Sequence, residues 1–216
     1  MKRVKGVNLH IPVVHGSYAK HLGDKGTESR SHEWTVYLRP LQAADLSHFI
    51  KHVEFVLHES FEPQTRRVTE MPYEVQEYGW GEFEVVIRVF FQDPSEKPVE
   101  FFHPLRLFET MGEPSPDPVV SEHYDEIVFQ DPPEKLHSLL KTIPHGPNLR
   151  IKQPSYPISN YFKDFSGAES NDLRKLEHAR RTLREETIKR QAKYERLEEE
   201  RAGLLRQISG YDSRAS

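Results

Sequence analysis

Apolar and polar residues alternate along most of the first 130 positions of this chain. The alternating runs are Val7–Val13, Trp34–Leu38, Val53–Leu57, Phe83–Phe91 and Ile127–Phe129. A period of two points successive side chains to opposite faces of a strand, so one face of each run turns toward a core. Turn-forming segments such as Gly23–Gly26 and Asp93–Pro98 separate the runs. Seven or eight short strands of this kind predict a mainly β fold, an immunoglobulin-like antiparallel β-sandwich in architecture only, because no Cys-Trp-Cys signature is present.

Two short segments depart from the alternation. Leu41–Ile50 is compatible with a helical turn, and Lys135–Lys141 follows a Pro-Pro pair that favours a helix start, with Leu136, Leu139 and Leu140 inward. We therefore assign residues 1–143 to the sandwich. Residues 144–168 contain four prolines and two glycines, which predicts a linker with extended stretches.

Residues 169–209 have a different character and predict a coiled-coil helix. Apolar residues recur there with spacings of three and four, which is the heptad pattern. The predicted seam contains Leu173, Leu176, Leu183, Leu197, Leu204 and Ile208. Arg180, Arg190 and Arg201 also fall in this seam and weaken it. The pattern therefore leaves two alternatives open, a homodimer and a solvated helix that pairs with the helices of another subunit.

Composition excludes several classes of protein. The chain has no cysteine, which excludes a disulfide scaffold, a thiol nucleophile and a Cys-based zinc site. No apolar run approaches the length of a membrane helix, so we expect an intracellular, soluble protein without a membrane partner. Residues 1–148 hold 15 Lys and Arg against 23 Asp and Glu, whereas residues 149–216 hold 15 against 11. An acidic sandwich suits a basic peptide partner, although acidity also serves solubility alone.

The usual signatures of catalysis and of nucleic-acid recognition are missing. His58-Glu59-Ser60 lacks the Gly-x-Ser-x-Gly turn that exposes a nucleophile, and no phosphate-binding Gly-rich loop or metal-ligand spacing occurs. The basic C-terminal part alternates in charge, as a solvated helix does. We therefore expect no enzyme activity, no cofactor or metal, and no sequence-specific binding to nucleic acid.

Two aromatic-rich loops stand out at the ends of predicted strands. One is Leu57–Pro63, and the other is Glu77–Phe83, in which glycines flank Trp80 on both sides. Glycines at 79 and 81 free the backbone for an unusual turn and leave room for close approach. Two interpretations follow: Trp80 is exposed for binding, or it folds back as a cap on the core.

The loops and their surroundings resemble the YEATS domain family. The resemblance extends over about residues 5–135 and rests on six short segments. They are His32–Tyr37, Leu57–Phe61, Pro72–Val75, Gly79–Phe83, Phe90–Pro94 and the pair Tyr124–Glu126 with Phe129–Pro132. The Gly-Trp-Gly-Glu-Phe form and the terminal coiled coil are similar to the glioma-amplified/Yaf9-like branch of that family.

The resemblance implies a reader of acetylated or crotonylated lysine on histone tails. The implied site contains His58, Ser60, Phe61, Gly79, Trp80, Gly81, Phe83 and Arg30. Phe61 and Trp80 would sandwich the acyl group, while Phe83 and His58 would line the channel. The Ser60 hydroxyl and the backbone N–H of Trp80 would donate hydrogen bonds to the acyl carbonyl. Arg30 departs from the family pattern, which often has an aromatic residue or histidine there, so either the loop shifts or Arg30 rims the slot and changes its preference.

The resemblance also implies a nuclear location and membership of chromatin complexes. Proteins of that branch are shared by histone acetyltransferase complexes and by complexes that exchange a histone variant, where the C-terminal helix would bind other subunits. The alternative is an assembly subunit whose acyl slot is silent and which acts through its coiled coil.

Overall fold

The computed structural model divides the chain into two compact units, Met1–Lys163 and Asp164–Ser216. The residues that the structure describes are 2–109, 115, 117–144, 146, 160–165 and 167–212, without the side chains of 168, 169 and 207–212. The predicted linker falls mostly outside these residues, including Pro147, Pro154 and Pro157.

The first unit is an antiparallel β-sandwich, as the alternation predicts. Its eight described strands are β1 Asn8–His21, β2 His32–Pro40, β3 Ile50–Val56, β4 Thr65–Val68, β5 Tyr73–Gly79, β6 Glu84–Phe91, β7 Val99–Pro104 and β8 Val119–Gln130. One sheet has the order β5-β2-β1-β8, and the other has the order β4-β3-β6-β7. The inward faces of the two sheets together form the hydrophobic core.

The core contains the apolar positions that the period-two pattern turns inward. Trp34, Val36 and Leu38 of β2 are buried, and so are Val85, Ile87, Val89 and Phe91 of β6. β1 departs from strict alternation because all its residues from Val13 to Ala19 are buried. Its outer face is covered as well, since Tyr18 and Tyr37 form a second, smaller apolar cluster there with Phe162. A strand covered on both faces loses the alternation that marks a half-exposed one.

Three strands have a weak period-two signal. β4 and β7 are the two edges of the second sheet, and β5 is an edge of the first sheet. In β5, Tyr73 and Val75 face the core while Gln76 and Tyr78 are exposed. Edge strands bury less side-chain area, so their sequences carry less of the inward-facing pattern.

Both helical departures from the sandwich are confirmed. Leu46–His48 is a single 3₁₀ turn, and the side chain of Asp45 accepts a hydrogen bond from the Ser47 N–H at its start. Helix α1 spans Glu134–Lys141. Its Leu136 and Leu140 are buried in the core, as predicted. Leu139, which was also predicted to face inward, is only partly buried.

A short segment after the sandwich, Asn160–Lys163, packs on the outer face of the first sheet. The Arg39 guanidinium lies 4.1 Å from the centre of the Phe162 ring. Glu122, which is buried, accepts hydrogen bonds from Arg39 Nε at 2.8 Å, Tyr37 Oη at 2.9 Å and the Lys163 N–H at 2.7 Å. Burial of a carboxylate is tolerated here because both of its oxygens are hydrogen-bonded. The predicted linker therefore has an ordered end against the sandwich, and its boundaries stay a prediction.

The second unit contains one long helix, α2, over Ala168–Asp212. The five leucines of the predicted seam are each more than half exposed, as Leu176 and Leu183 show at 68%. The side chain of the sixth seam residue, Ile208, lies outside the described residues. Within the described ranges, no helix combines the length and apolarity that a membrane span requires.

Candidate functional site

A cavity of about 740 Å³ lies at one end of the sandwich. All eight residues of the site predicted from the sequence line it: Arg30, His58, Ser60, Phe61, Gly79, Trp80, Gly81 and Phe83. Its wall also includes Ser29, Glu62, Arg66, Glu77, Tyr78 and Glu82. The structure thus brings together residues from three separate parts of the chain.

Three connections between strands supply these side chains. The first follows β3 and carries His58, Ser60 and Phe61, and the second joins β5 to β6 and crosses from one sheet to the other. The third is the turn Thr27–Arg30 before β2, which is closed by hydrogen bonds between its terminal residues. Loops held at the end of a rigid sandwich commonly carry binding residues.

The base of the site is a cluster of three aromatic rings. Phe61 and Phe83 each meet the buried Trp34 ring edge to face, at centroid distances of 5.6 and 5.8 Å. The Phe61 and Phe83 ring centroids are 5.7 Å apart. Edge-to-face contacts of this length are favourable and fix ring orientation. Trp34 therefore holds two of the predicted binding residues in place, and both of them remain partly exposed toward the cavity.

Trp80 does not cap the core. Its side chain is 66% exposed, and no ring among the described residues stacks on it. The interpretation that Trp80 folds back onto the core is therefore wrong. A large aromatic side chain left in water on the wall of a cavity is the kind of exposed apolar feature that marks a binding site.

The two glycines beside Trp80 have different roles. A Cβ atom at Gly79 would lie 3.1 Å from Trp34 Nε1 and 3.7 Å from Phe61 Cζ, whereas one at Gly81 would meet no atom within 4 Å. Neither glycine has a positive φ angle. The expectation of close approach is confirmed at Gly79, but the expectation of an unusual backbone turn at these glycines is wrong.

His58 and Ser60 form a polar pair on the cavity wall. The Ser60 N–H donates to His58 Nδ1 at 3.3 Å, and Ser60 Oγ lies 3.0 Å from the same nitrogen. Because Nδ1 accepts from the backbone, the Ser60 hydroxyl also donates to it in this arrangement. The hydroxyl is exposed and can rotate toward a carbonyl oxygen in the cavity, while the backbone bond keeps the imidazole in place.

Most charged groups of the wall are already paired. Arg66 Nη2 lies 2.7 Å from Glu77 Oε1, and Arg106 Nη1 lies 2.9 Å from Glu82 Oε2. Glu82 also accepts hydrogen bonds from two backbone N–H groups, those of Leu107 at 2.8 Å and of its neighbour Phe108 at 3.2 Å. Partial burial by itself raises the pKa of Glu82, but these hydrogen bonds outweigh it and hold the pKa below its ordinary value.

Trp34 and Glu82 are site residues that the sequence prediction did not include. Trp34 was identified as an inward strand residue, but its contact with the loops depends on how the two sheets meet. Glu82 ties the loop of Trp80 to the segment after β7 through a carboxylate anchor. A single glutamate in a loop gives no periodic signal in the sequence. Its role becomes visible only from the segment that it contacts in the folded structure.

A second cluster outside the cavity joins three histidines from both sheets. His15 Nδ1 and His103 Nδ1 are 3.1 Å apart, and the His123 ring stacks on His15 at 5.4 Å. The pKa of His15 is lowered to about 4, mainly by burial and to a smaller extent by the nearby His123. The charge of Asp125 opposes this shift. Burial and the two neighbouring histidines lower the pKa of His103 to about 3. Among the described residues, no group of three side chains is arranged to hold a metal ion.

Comparison with known proteins gives a family match over the same region. The model of the YEATS family matches residues 29–109, which include all eight predicted binding residues. Transcription initiation factor TFIID subunit 14b from Arabidopsis thaliana is 35% identical over 208 residues, covering 84% of this chain and 76% of that protein. The protein AF-9 homolog from Eremothecium gossypii is 42% identical over 142 residues, covering 62% of this chain and 68% of that protein.

Solved structures agree with the sequence comparison. The Yaf9 YEATS domain bound to H3K27ac superposes with a TM-score of 0.57 at 35% identity, covering 66% of this chain and 99% of that one. The Yaf9 YEATS domain recognising an H3K122suc peptide gives a TM-score of 0.55 at 34% identity, again over 66% of this chain and 99% of that one. Yaf9 is the yeast AF-9 homolog.

Proposed function

The chain belongs to the YEATS family, and we propose that its cavity binds an acylated lysine side chain of a histone tail. One observation carries the proposal: the exposed Trp80 and the partly exposed Phe61 and Phe83 surround a single cavity that also contains a hydroxyl donor. The similar Yaf9 YEATS domain has been solved with acetylated and succinylated histone H3 peptides.

The physical chemistry of the cavity suits an acylamide. Acylation removes the lysine charge, so an aromatic slot no longer has to desolvate an ammonium group. The flat amide stacks between the faces of Phe61 and Trp80, and Phe83 closes the channel beside it. The Ser60 hydroxyl turns from His58 to donate to the acyl carbonyl, and the backbone N–H of Trp80 donates a second bond. Two donors and two ring faces together fix the position of the amide.

A titration of the full chain with histone H3 peptides tests this function. We expect roughly micromolar affinity for the H3K27ac peptide and no measurable binding of the unmodified peptide. Trp80→Ala should weaken acetyl-peptide binding by at least about tenfold. Phe102→Ala is the matched control, because Phe102 is an exposed aromatic residue on β7 that does not line the cavity. Equal binding of both peptides, or none, would leave an assembly module whose slot is silent.

Helix α2 is proposed to bind other subunits rather than a second copy. In a parallel pair of identical helices, Arg180, Arg190 and Arg201 would each face the same residue of the other copy within the seam. Like charges brought together away from water oppose pairing, whereas aspartate or glutamate at the facing positions of a partner helix would favour it. The five leucines of the seam are exposed and available.

Sedimentation of the full chain tests this choice. We expect a monomer at micromolar concentration, and self-association once all three seam arginines are changed to leucine. A stable dimer of the unchanged chain would instead show that α2 pairs with itself.

From the acyl-lysine cavity and the partner-binding helix together, we propose that the chain is a nuclear subunit that positions chromatin complexes at acylated histones. Membership of histone acetyltransferase and histone-variant-exchange complexes is what the resemblance implies, and the name of the Arabidopsis relative supports the coarser assignment to a transcription complex. The chain itself is proposed neither to add nor to remove acyl groups. Co-purification of these complexes with the full chain, and its loss on deletion of residues 169–209, tests this assignment.

A further inference from the structure

Trp80 lies on the short connection between β5 and β6, which consists of Trp80–Phe83. The Trp80 ring is mostly exposed, so packing does not fix it. Among the described residues, the backbones of Trp80 and Gly81 form no hydrogen bond with other backbone groups. A loop that becomes ordered only when a ligand arrives loses conformational entropy at that step, which weakens binding. A contact elsewhere in the connection that sets the position of Trp80 beforehand would avoid this cost.

The carboxylate of Glu82 is such a contact. Its Oε1 accepts hydrogen bonds from two consecutive backbone N–H groups, those of Leu107 at 2.8 Å and of Phe108 at 3.2 Å. Its Oε2 lies 2.9 Å from Arg106 Nη1 in an ion pair, but the Arg106 side chain is 55% exposed. Hydrogen bonds from backbone groups to a carboxylate are strong, whereas an exposed ion pair contributes little. The anchor of the connection is therefore the pair of backbone hydrogen bonds on one oxygen.

The segment that this carboxylate binds is itself fixed to the sandwich. Leu107 is buried in the core, and the Phe108 ring meets the buried His32 ring edge to face at a centroid distance of 4.9 Å. His32 is the first residue of β2 and pairs with Gly79, the last residue of β5. The connection is thus held on both sides of Trp80, by the pairing of Gly79 before it and by the bound carboxylate after it.

We propose that Glu82 is a positioning residue for acyl-lysine binding, because its carboxylate holds Trp80 where the indole ring stacks on the acylamide. The inference rests on the proposed function, since Trp80 acts on the acyl group and Glu82 acts through Trp80. A binding residue whose position is set in the free protein spares the complex the cost of ordering it. Glu82 also lines the cavity, so its negative charge offers a second explanation, the attraction of a basic histone tail. The two explanations predict opposite orders of affinity for two variants.

Glu82→Gln and Glu82→Asp separate the anchor from the charge. Glutamine keeps an oxygen at the same reach, which accepts the two backbone hydrogen bonds, but it has no charge. Aspartate keeps the charge, but its carboxylate is one methylene closer to the backbone and loses these bonds. In titrations of the full chain with the H3K27ac peptide, we expect Glu82→Gln to stay within about threefold of the unchanged chain and Glu82→Asp to bind about tenfold more weakly. The matched control is Glu84→Ala, which removes an exposed carboxylate outside the cavity and should stay within about twofold.

The two tryptophans give a readout that separates positioning from folding. In fluorine NMR of the full chain labelled with fluorotryptophan, Trp34 and Trp80 give one resonance each, and Trp80→Phe assigns them. In the free chain, Glu82→Asp should shift and narrow the Trp80 resonance, because the ring moves more freely. The same variant should leave the Trp34 resonance in place, because the sandwich stays folded. Glu82→Gln should leave both resonances unchanged.

Each contrary result has a distinct meaning. Equal affinities of the two variants, tighter binding by Glu82→Asp than by Glu82→Gln, or an unchanged Trp80 resonance in Glu82→Asp would overturn the positioning role, and the reader would stand. A displaced Trp34 resonance would show that Glu82 serves folding instead of positioning. If the unchanged chain binds no acetylated peptide, the proposed function fails and the positioning role fails with it, even where the Trp80 resonance responds to the variants.

Discussion

Leucine side chains have opposite environments in the two units of this protein. Leu136 of α1 is fully buried in the sandwich core, while Leu176 of α2 is 68% exposed. Both residues lie in helices and both belong to a regular apolar pattern. In the sandwich, the opposing layer comes from the same chain, because two sheets and α1 face one another. Among the described residues of its own unit, the leucines of the α2 seam meet no such layer. A regular apolar period therefore predicts that a helix face becomes buried. The period does not show whether the surface that covers this face comes from the same chain or from another.

The two tryptophans repeat this contrast within the sandwich. Trp34 is fully buried, and Trp80 is 66% exposed at the cavity. Trp34 supports the rings of Phe61 and Phe83, which line the same cavity as Trp80. The core and the site thus meet at the cluster of Trp34, Phe61 and Phe83. Trp34 belongs to the core, and Trp80 belongs to the site.

The largest effect on stability should come from truncating Leu136, and the same truncation of Leu176 is its matched comparison. Leu136→Ala should lower the free energy of unfolding of the sandwich by about 2–5 kcal/mol, because it leaves a cavity in the core. Leu176→Ala should change it by no more than about 0.5 kcal/mol. Urea denaturation followed by near-ultraviolet circular dichroism measures both. A comparable loss for Leu176→Ala would show that α2 already packs on a surface of its own chain.

Acid should destabilise the sandwich through its histidine cluster. Folding lowers the pKa of His15 and His103 from 6.5 to about 4 and about 3. Their contribution is fully present above pH 6.5 and is lost as the pH falls toward those values, because the unfolded chain then binds protons that the folded chain refuses. The loss is up to about 1.4 kcal/mol per pH unit for each histidine.

Unfolding midpoints near pH 7, 6 and 5 measure this loss. His103→Leu should flatten the dependence on pH. His178→Ala, a change at an exposed histidine of α2, should leave it as it is. An identical slope in all three chains would mean that the cluster does not control acid stability.

A smaller effect should distinguish the two glycines beside Trp80. Gly79→Ala should lower stability by about 1–3 kcal/mol and weaken acetyl-peptide binding, because the added methyl group would lie 3.1 Å from Trp34 Nε1 and push against the ring that supports Phe61 and Phe83. Gly81→Ala should change stability by less than about 0.5 kcal/mol, since nothing lies within 4 Å of the added atom. Unfolding and peptide titration of both variants test this. Equal losses would show that the glycines are required for another reason than space.

The smallest effect should be confined to binding. Ser60→Ala should weaken the acetyl peptide by roughly three- to tenfold, the value of about one hydrogen bond, and should not change the stability of either unit. The exposed position of Ser60 supports the second expectation. Isothermal titration calorimetry with an acetylated H3 peptide measures the first. Unchanged affinity would assign the carbonyl contact to the Trp80 N–H alone.

The sequence by itself determined the elements whose signal is local. Period-two alternation predicted the central strands, the Pro-Pro pair predicted α1, and the heptad spacing predicted α2, because each pattern arises from the geometry of one element. The resemblance carried by the loops identified eight residues that line the cavity. The edge strand β4 and the doubly covered middle of β1 escaped the pattern, since the burial of each depends on neighbours rather than on its own period.

Only the tertiary structure decided how those residues meet. It placed Trp34 beneath Phe61 and Phe83, set Gly79 against Trp34, and left Trp80 exposed. It also brought His15, His103 and His123 together from three strands. Contacts between distant segments depend on the pairing of the sheets and on the packing of one sheet over the other. A sequence pattern reports the face of its own element, whereas the atoms across that face belong to another part of the chain.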